Sequence, residues 1–364
     1  MNNGEYNFQP EVKRTYTPEE AGHDRIRKPV SRMSRKRHRK VNVGVVIISV
    51  VFALIIGVCI YLLATGGNTD PEIIPILDGN TDGTTVLETE PPKEITVSVS
   101  EKEMHMGDLI LVNYANPYAF AEEEIGEIVT VTSAKNEYYL TRNSTVCLRK
   151  PFIDVINQLM ADMYAVNGNK YMQVNSAYRS YEDQVSTYEY YKETNGEQYA
   201  KEYVANPGYS EHHTGLAVDF NVYVNGYVYY VESYEGCAWF RENAKNYGII
   251  LRYEPDKQYI TGINGETWHY RYVGVPHAQI MFQLDYCLEE YIDYLRSFTY
   301  EQNMLCFDGT TISTVSSYEE APAGHVIYYV ASEGELTDIT IPNFAEYSIS
   351  GNNVDGFVVT VTKD

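Results

Sequence analysis

The chain has 364 residues and a formal net charge of −22, which is divided unevenly along its length. Residues 1–65 carry 11 Lys and Arg against 5 Asp and Glu, whereas the remaining residues carry 17 against 45. The length allows two or three domains with a full core, and the charge division indicates that the two ends of the chain lie in different environments.

Residues 43–64 are 22 consecutive uncharged residues, and they predict a single transmembrane helix. At about 1.5 Å per residue they span about 33 Å, enough for the hydrocarbon core of a bilayer. A buried soluble helix is disfavoured by this length. A cleaved signal peptide is disfavoured too, because its apolar region is normally about 7–15 residues and no clear small-residue cleavage site follows.

The basic run at residues 32–40 lies directly before this span. By the positive-inside rule, residues 1–42 form a cytoplasmic tail and everything after residue 65 is extracellular, at the cell membrane. The run also suits anionic lipid headgroups, whereas its position against a membrane span argues against nucleic acid as a partner. Residues 65–93, acidic and containing prolines, predict a flexible linker that would hold the following domain about 30 Å from the membrane.

Residues 94–305 mix strand and helix patterns without a regular βαβ rhythm, which predicts an α+β domain with a central antiparallel sheet and flanking helices. The predicted strands are 95–99, 109–113, a strand beginning at 174, 216–223, 249–253 and 268–273. The predicted helices are 152–163, 181–204, 239–247 and one long helix from Pro276 to Leu295.

Residues 306–364 form short β-rich runs at 324–331, 339–341 and 357–361, with a hairpin turn predicted at residues 351–353. This pattern predicts a small β-domain without a catalytic site. Two roles stay open for it: binding of wall polymer, or bracing of the preceding domain.

The stretch Ser210-Glu211-His212-His213-Thr214-Gly215-Leu216-Ala217-Val218-Asp219 offers two imidazoles and a carboxylate on either side of a turn. Asp219 stands inside an apolar strand pattern, where an unpaired carboxylate is costly and a metal ion is a suitable partner. Fifty residues later, His269 offers a further imidazole, and Glu266 lies just ahead of it. Three protein ligands, an open fourth position and a nearby non-ligating Glu are typical of catalytic zinc.

A third stretch, Ser176-Ala177-Tyr178-Arg179-Ser180 followed by Gln184, completes a set of three motifs. Together they resemble the VanY-type D-alanyl-D-alanine carboxypeptidases, zinc enzymes that trim peptidoglycan stem peptides. That family's patterns are S-G-Y-R-S with a later Gln, S-x-H-x-x-G-x-A-x-D, and E-P-W-H, and the resemblance covers residues 95 to 300. This chain departs from them at Ala177, His213 and Thr267, where the family has Gly, often Gln, and Pro.

The resemblance implies a zinc site of His212, Asp219 and His269. The family pattern favours His212 over its neighbour His213 as the ligand. Glu266 is implied as the acid–base group, and Arg179 as the group that stabilises the oxyanion. In a regular strand, the side chains of residues 266 and 269 point to opposite faces. To act at the metal beside His269, Glu266 is therefore expected to lie on the turn before the strand.

The remaining candidate residues have less direct roles. Four are expected to contact substrate or to support the residues that do: Ser176, Gln184, Ser210 and Trp268. Trp268 is also expected to pack beside the metal, whereas His277 is expected to be structural.

Three functions compete. They are a D,D-carboxypeptidase acting on D-Ala-D-Ala ends of stem peptides, an L,D-carboxypeptidase acting on tetrapeptide stems, and a non-catalytic zinc-stabilised wall-binding module. Because a purely structural site needs neither Glu266 nor Arg179, their presence disfavours the third.

The cysteines say little about function. Cys147, Cys237, Cys287 and Cys306 allow three complete pairings. Extracellular exposure makes Cys287–Cys306 one candidate disulfide. The chain contains no C-x-x-C, so no separate structural zinc site is indicated.

Overall fold

The computed structural model describes residues 93–118 and 125–364. The predicted cytoplasmic tail (1–42), transmembrane helix (43–64) and nearly all of the linker (65–93) lie outside the described residues. Within the described part, no helix has both the length and the apolar character needed to cross a membrane.

The strands of the described residues are short, and most belong to two sheets. In chain order they are β1 (Glu94–Ser100), β2 (Ile128–Thr130), β3 (Leu140–Thr141), β4 (Cys147–Arg149), β5 (Met172–Ser176), β6 (Ala217–Val224), β7 (Tyr227–Tyr229), β8 (Ile249–Tyr253), β9 (Glu266–Tyr272), β10 (Met304–Phe307), β11 (Ile312–Val315), β12 (Gly324–Ala331), β13 (Leu336–Pro342), β14 (Glu346–Gly351) and β15 (Gly356–Lys363).

The helices lie mainly in the first two thirds of the described chain. They are α1 (Val131–Ala134), α2 (Lys150–Asn167), α3 (Tyr181–Asn195), α4 (Glu197–Tyr203), α5 (Ala238–Asn243), α6 (Gln258–Thr261), α7 (His277–Leu284) and α8 (Leu288–Leu295). Short 3-10 turns occur at Glu101–His105, Glu211–Thr214, Glu235–Cys237, Ala244–Tyr247 and Tyr318–Glu320.

The central sheet has the strand order β3-β5-β6-β9-β8, with β7 paired to β6. All pairs are antiparallel except β3 with β5, which are parallel. Helix α2 packs on this sheet because its apolar residues recur at helical spacing. Phe152, Ile156 and Met160 are buried in one cluster with Phe220 and Tyr270 of the sheet. The predicted α+β class with a mainly antiparallel central sheet is therefore confirmed.

Four predicted elements differ from the structure. The helix predicted for 181–204 is divided into α3 and α4 at Gly196, and the helix predicted for 239–247 is α5 followed by a 3-10 turn. Residues 109–113 are predicted as a strand but form no strand, although Leu109, Ile110, Leu111 and Val112 are buried. The predicted long helix from Pro276 is two helices, α7 and α8. It breaks because Asp285 adopts a left-handed conformation with φ 56° at the end of α7. A new helix then begins after Cys287, whose backbone N–H donates to the Glu290 carboxylate.

The β-rich C-terminal residues form a five-stranded sheet in the order β11-β10-β12-β15-β14. The predicted hairpin at residues 351–353 is confirmed, since β14 and β15 pair antiparallel on either side of it. Strand β1, expected to open the first domain, pairs instead with β13, from Glu94 opposite Pro342 to Ser100 opposite Leu336. The domain ranges 94–305 and 306–364 stay predictions.

The candidate disulfide between Cys287 and Cys306 is absent from the described residues, since all four cysteines there are free. Cys306 lies within strand β10 and packs as a small apolar group in a core cluster. Cys287 is also buried, directly before helix α8, where it forms a capping box with Glu290.

Candidate active site

The motif beginning at Ser210 folds as one turn of 3-10 helix followed directly by strand β6. The Ser210 hydroxyl accepts a hydrogen bond from the His212 backbone N–H at 3.4 Å, which caps the turn. Gly215 ends it with φ 65°, a left-handed conformation that glycine adopts without a Cβ penalty. A Cβ at this position would lie 2.8 Å from the Arg149 Cγ. The turn thus sets the position of His212 relative to the strand that carries Asp219.

His212, on the 3-10 turn, converges with Asp219 of β6 and His269 of β9. One ligand atom from each of the three lies within 4.8 Å of the others. The His212 Nε2 is 3.4 Å from the Asp219 Oδ2, and the His269 Nδ1 is 3.4 Å from the Asp219 Oδ1. Asp219 and His269 are directly opposite each other in the β6–β9 pair. The structure therefore brings the three predicted ligands together.

The neighbouring imidazole, His213, has both ring nitrogens directed at backbone groups. Its Nδ1 lies 2.9 Å from the Arg179 carbonyl oxygen, and its Nε2 accepts from the Gly208 N–H at 3.1 Å. Because neither nitrogen is directed toward Asp219, His213 is a structural residue here. The preference for His212 agrees with this geometry.

Glu266 lies inside strand β9, as its first residue and opposite Tyr253, so its predicted position on the preceding turn is wrong. The β8–β9 register shifts between Leu251 and Tyr253, where a bulge places extra residues in β9. A bulge breaks the two-residue alternation of a strand and re-aims side chains. The Glu266 Oε2 consequently lies 3.5 Å from the His269 Nδ1, on the same side as the metal ligands.

Arg179 approaches the site from the loop after β5. Its Nη2 lies 3.8 Å from the Asp219 Oδ2, and its Nη1 donates to the Gln184 Oε1 at 2.9 Å. The Gln184 side chain is fully buried and donates in turn to the Ala205 carbonyl oxygen at 2.7 Å. Gln184 therefore holds the guanidinium in place, a supporting role that the sequence left open beside substrate contact.

Two of the other candidate residues, Ser176 and Trp268, are next to ligands in strand pairing or in sequence. Ser176 ends β5 and is paired with Asp219. Trp268 precedes His269 and has its ring centroid 5.8 Å from that of Tyr230. His277 lies elsewhere, with its Nδ1 2.9 Å from the Tyr291 hydroxyl and its Nε2 3.0 Å from the Thr360 hydroxyl.

Electrostatics at the site favour a bound cation. Burial and the nearby Arg179 charge lower the pKa of His212 to about 4, so this imidazole is neutral and able to ligate. Burial would lower the pKa of His269, but the carboxylates of Asp219, Glu211 and Glu266 raise it well above its ordinary value. Three carboxylates around one buried imidazole make a positive charge favourable at this place.

Glu266 differs from the other acids of the site. Burial raises its pKa above the ordinary value, and the adjacent Asp219 charge acts in the same direction, although His269 and Arg179 oppose them. Asp219 is shifted the other way: burial acts to raise its pKa, but His212 and His269 lower it overall. A carboxyl group with a raised pKa beside an ionised one suits proton transfer.

Sequence reasoning missed the group behind the ligands, Glu211. Its carboxylate is buried and accepts hydrogen bonds from the Arg252 Nε at 2.8 Å and the Arg271 Nη1 at 2.9 Å. Its second oxygen, Oε2, lies 3.4 Å from the His269 Nε2. A charged residue between Ser210 and His212 was the available signal, but its two arginine partners are distant in sequence.

The donor set fits a zinc ion. Two imidazole nitrogens and one carboxylate oxygen are ligands that zinc takes in catalytic sites, with further coordination left open. Within the described residues, the buried Asp219 Oδ1 has no hydrogen-bond partner. A buried oxygen without a donor is costly, and a cation at this point would satisfy it.

Comparison with known proteins agrees with this geometry. Residues 146–275 match the family described as VanY, D-alanyl-D-alanine carboxypeptidase. A D-alanyl-D-alanine carboxypeptidase of Enterococcus faecium is 32% identical over 268 residues, covering 72% of this chain and 78% of that protein. Another, from Enterococcus faecalis strain V583, is 30% identical over 220 residues, covering 58% of this chain and 75% of that protein.

A solved structure is similar over most of the chain. The vancomycin-resistance D,D-dipeptidase VanXYg, in complex with a D-Ala-D-Ala phosphinate analogue, is 31% identical, with a TM-score of 0.63. The similarity covers 74% of this chain and 99% of that one. The resemblance inferred from the three motifs is thus confirmed, and the chain belongs to the VanY D-alanyl-D-alanine carboxypeptidase family.

Proposed function

We propose that this protein is a zinc D,D-carboxypeptidase that hydrolyses the terminal D-Ala-D-Ala bond of peptidoglycan stem peptides. The observation that carries the proposal is the position of Glu266, 3.5 Å from His269, and of Arg179, 3.8 Å from Asp219, beside the His212, Asp219 and His269 cluster. A zinc ion held by those three would polarise the substrate carbonyl and acidify a water molecule.

Glu266 is the group that moves the proton. Its carboxylate lies beside the ligand His269 but is not part of the three-residue ligand set. Its raised pKa brings it closer to neutral pH, where a positioned carboxylate can both accept and return a proton. It takes the proton of the attacking water and delivers it to the departing D-alanine amine.

Arg179 supplies positive charge for the carbonyl oxygen as negative charge develops on it. The guanidinium is partly buried, and Gln184 fixes one of its nitrogens, so little reorganisation is needed during the reaction. Its distance of 3.8 Å from the Asp219 Oδ2 is longer than a hydrogen bond, which leaves the Nη2 able to reach a substrate oxygen.

We further propose a membrane-tethered, extracellular enzyme. This part is supported by sequence features alone: the uncharged stretch 43–64, the basic run before it, and the acidic linker after it. A short tether would keep the enzyme close to wall precursors at the extracellular surface of the cell membrane.

Release of free D-alanine from defined peptides tests the reaction. The zinc-loaded full-length chain is given a pentapeptide ending in D-Ala-D-Ala and, separately, the tetrapeptide ending in one D-Ala. We expect release from the pentapeptide. Release from the tetrapeptide alone would replace the proposal with L,D-carboxypeptidase activity, and release from neither would favour a non-catalytic binding module.

A further inference from the structure

We propose that Glu211 is a positioning residue for the metal site: its buried carboxylate accepts the outer N–H of His269 and so presents the Nδ1 of that ring to the metal. The inference rests on the proposed zinc site. It assigns a role to a residue outside the ligand set, and it predicts which nitrogen of each histidine binds.

The orientation of the His269 ring is the first observation. Its Nδ1 faces the site, 3.4 Å from the Asp219 Oδ1 and 3.5 Å from the Glu266 Oε2. Its Nε2 faces away, 3.4 Å from the Glu211 Oε2. Within the described residues, neither the His269 Nε2 nor the Glu211 Oε2 has a hydrogen-bond partner. The two atoms therefore face each other at ion-pair distance without a formed hydrogen bond, and neither has another hydrogen-bond partner among the described residues.

His212 has the opposite orientation. Its Nε2 faces the site, 3.4 Å from the Asp219 Oδ2, and its Nδ1 lies 2.5 Å from the Ala177 carbonyl oxygen. A carbonyl oxygen only accepts, so the Nδ1 of His212 carries the proton and the Nε2 is free to ligate. The two histidines therefore ligate through different ring nitrogens, each fixed by the acceptor behind it.

Glu211 is itself held rigidly. Arg252 and Arg271 both donate to its Oε1, and all three side chains are fully buried. Arg252 is also clamped by two hydrogen bonds to Glu289, at 2.8 and 2.7 Å. Arg271 donates to the Asp108 and Ile110 carbonyl oxygens, each at 2.9 Å. The carboxylate thus has one oxygen occupied by arginines and the other left for His269.

Only a carboxylate offers one acceptor oxygen to the two arginines and a second acceptor oxygen to the His269 Nε2. Glutamine has one acceptor and one donor end. If its oxygen faced the arginines, its NH2 would face the His269 Nε2. That nitrogen would then have to accept, and the proton would move to the Nδ1, which would block metal binding. If the amide were reversed, its NH2 would face the two arginine donors instead. Glu211→Gln is therefore a nearly isosteric change with a specific chemical consequence.

Zinc affinity of the full-length chain tests the role, measured with zinc alone in competition with a fluorescent chelator. Loss of a partner behind a metal-bound histidine typically weakens affinity 10–100-fold, and we expect that range for Glu211→Gln. The matched control is Glu290→Gln on α8, whose carboxylate pairs with Lys257 at 3.0 Å and is outside the site. The control is expected to bind zinc as wild type does.

Wild-type affinity in Glu211→Gln, or an equal loss in Glu290→Gln, would overturn the positioning role while leaving the proposed zinc enzyme intact. A wild-type chain that binds no zinc would overturn both proposals.

A second measurement does not depend on any variant folding. Nitrogen-15 spectra of histidine-labelled, zinc-loaded wild type should contain one imidazole bound through Nδ1 with its proton on Nε2, and one bound through Nε2. This split tests the ring orientations on which the positioning role depends. Two histidines both bound through Nε2 would overturn the inference.

Discussion

The Glu266 Oε2 lies 3.5 Å from the His269 Nδ1, although the two residues are three apart in one strand, where regular alternation would place them on opposite faces. The register shift between β8 and β9 removes that opposition. The bulge in β9 thus places the proposed acid–base group beside a metal ligand.

The first prediction separates chemistry from metal binding at this pair. Glu266→Gln is expected to retain zinc and the fold, because the change leaves the three ligands in place. Turnover of the D-Ala-D-Ala pentapeptide should fall about 10²–10⁴-fold, the usual contribution of a positioned acid–base group. The control is Glu242→Gln, an exposed position on α5. Retained turnover in Glu266→Gln would assign the proton transfer to another group.

The second prediction concerns the two adjacent imidazoles. His212→Ala should lose the metal, as measured by elemental analysis of the purified chain, because the Nε2 of His212 faces Asp219. His213→Ala should retain most of it, since both ring nitrogens of His213 are directed at backbone groups. Circular dichroism checks that both variants are folded. Full zinc content in His212→Ala would contradict the ligand assignment.

The third prediction concerns the turn that sets the distance between His212 and Asp219. Gly215→Ala forces a Cβ onto a residue with φ 65° and within 2.8 Å of the Arg149 Cγ. We expect a loss of about 1–3 kcal/mol in the free energy of unfolding, together with weaker zinc binding.

Gly168→Ala is the matched control for this turn. It has a similar φ of 71°, and no atom lies within 4 Å of an added Cβ. It should lose stability through φ alone and keep wild-type zinc affinity. Equal zinc affinity in the two variants would show that the Gly215 turn does not shape the metal site.

The fourth prediction is a pH dependence of stability at His277, away from the site. Burial, aided by the His325 charge, lowers the pKa of His277 to about 3, against about 6.5 in the unfolded chain. Between these values the unfolded state binds the extra proton and the folded state does not. Stability is therefore lost as the pH falls below about 6.5, by at most about 1.4 kcal/mol per pH unit.

Denaturant unfolding of the metal-free wild type and of His277→Gln at several pH values between 7.5 and 4.5 measures this contribution. The variant removes the titrating group, so its stability should decline less steeply on acidification. The other titrating groups are present in both proteins, so their contributions cancel when the free energies of unfolding of the two are subtracted at each pH. A stability difference that stays constant with pH would contradict the prediction.

The fifth prediction concerns topology. Protease added to intact cells should release the enzyme domain and leave a membrane-bound fragment of about the first 65 residues, because residues 43–64 are uncharged and follow a basic run. Antibody detection of an N-terminal tag measures the fragment, and a cytoplasmic protein serves as the control for lysis. Full protection of the C-terminal residues would contradict an extracellular enzyme.

The sequence alone determined the chemical identity of the site. His212, Asp219, His269, Glu266 and Arg179 were predicted from residue types that can ligate zinc, transfer a proton or carry positive charge, together with the resemblance of three motifs to the VanY-type family. The main helices and strands were also predicted, because the periodicity of apolar residues is a local property.

Tertiary structure alone decided how these residues are oriented. The bulge that turns Glu266 toward His269 depends on pairing between β8 and β9, and no local pattern specifies it. The partners of Glu211 lie 41 and 60 residues away in sequence, at Arg252 and Arg271. Long-range pairing of this kind is set by which chain segments pack together, so the ring nitrogen that His269 presents to the metal follows from the fold.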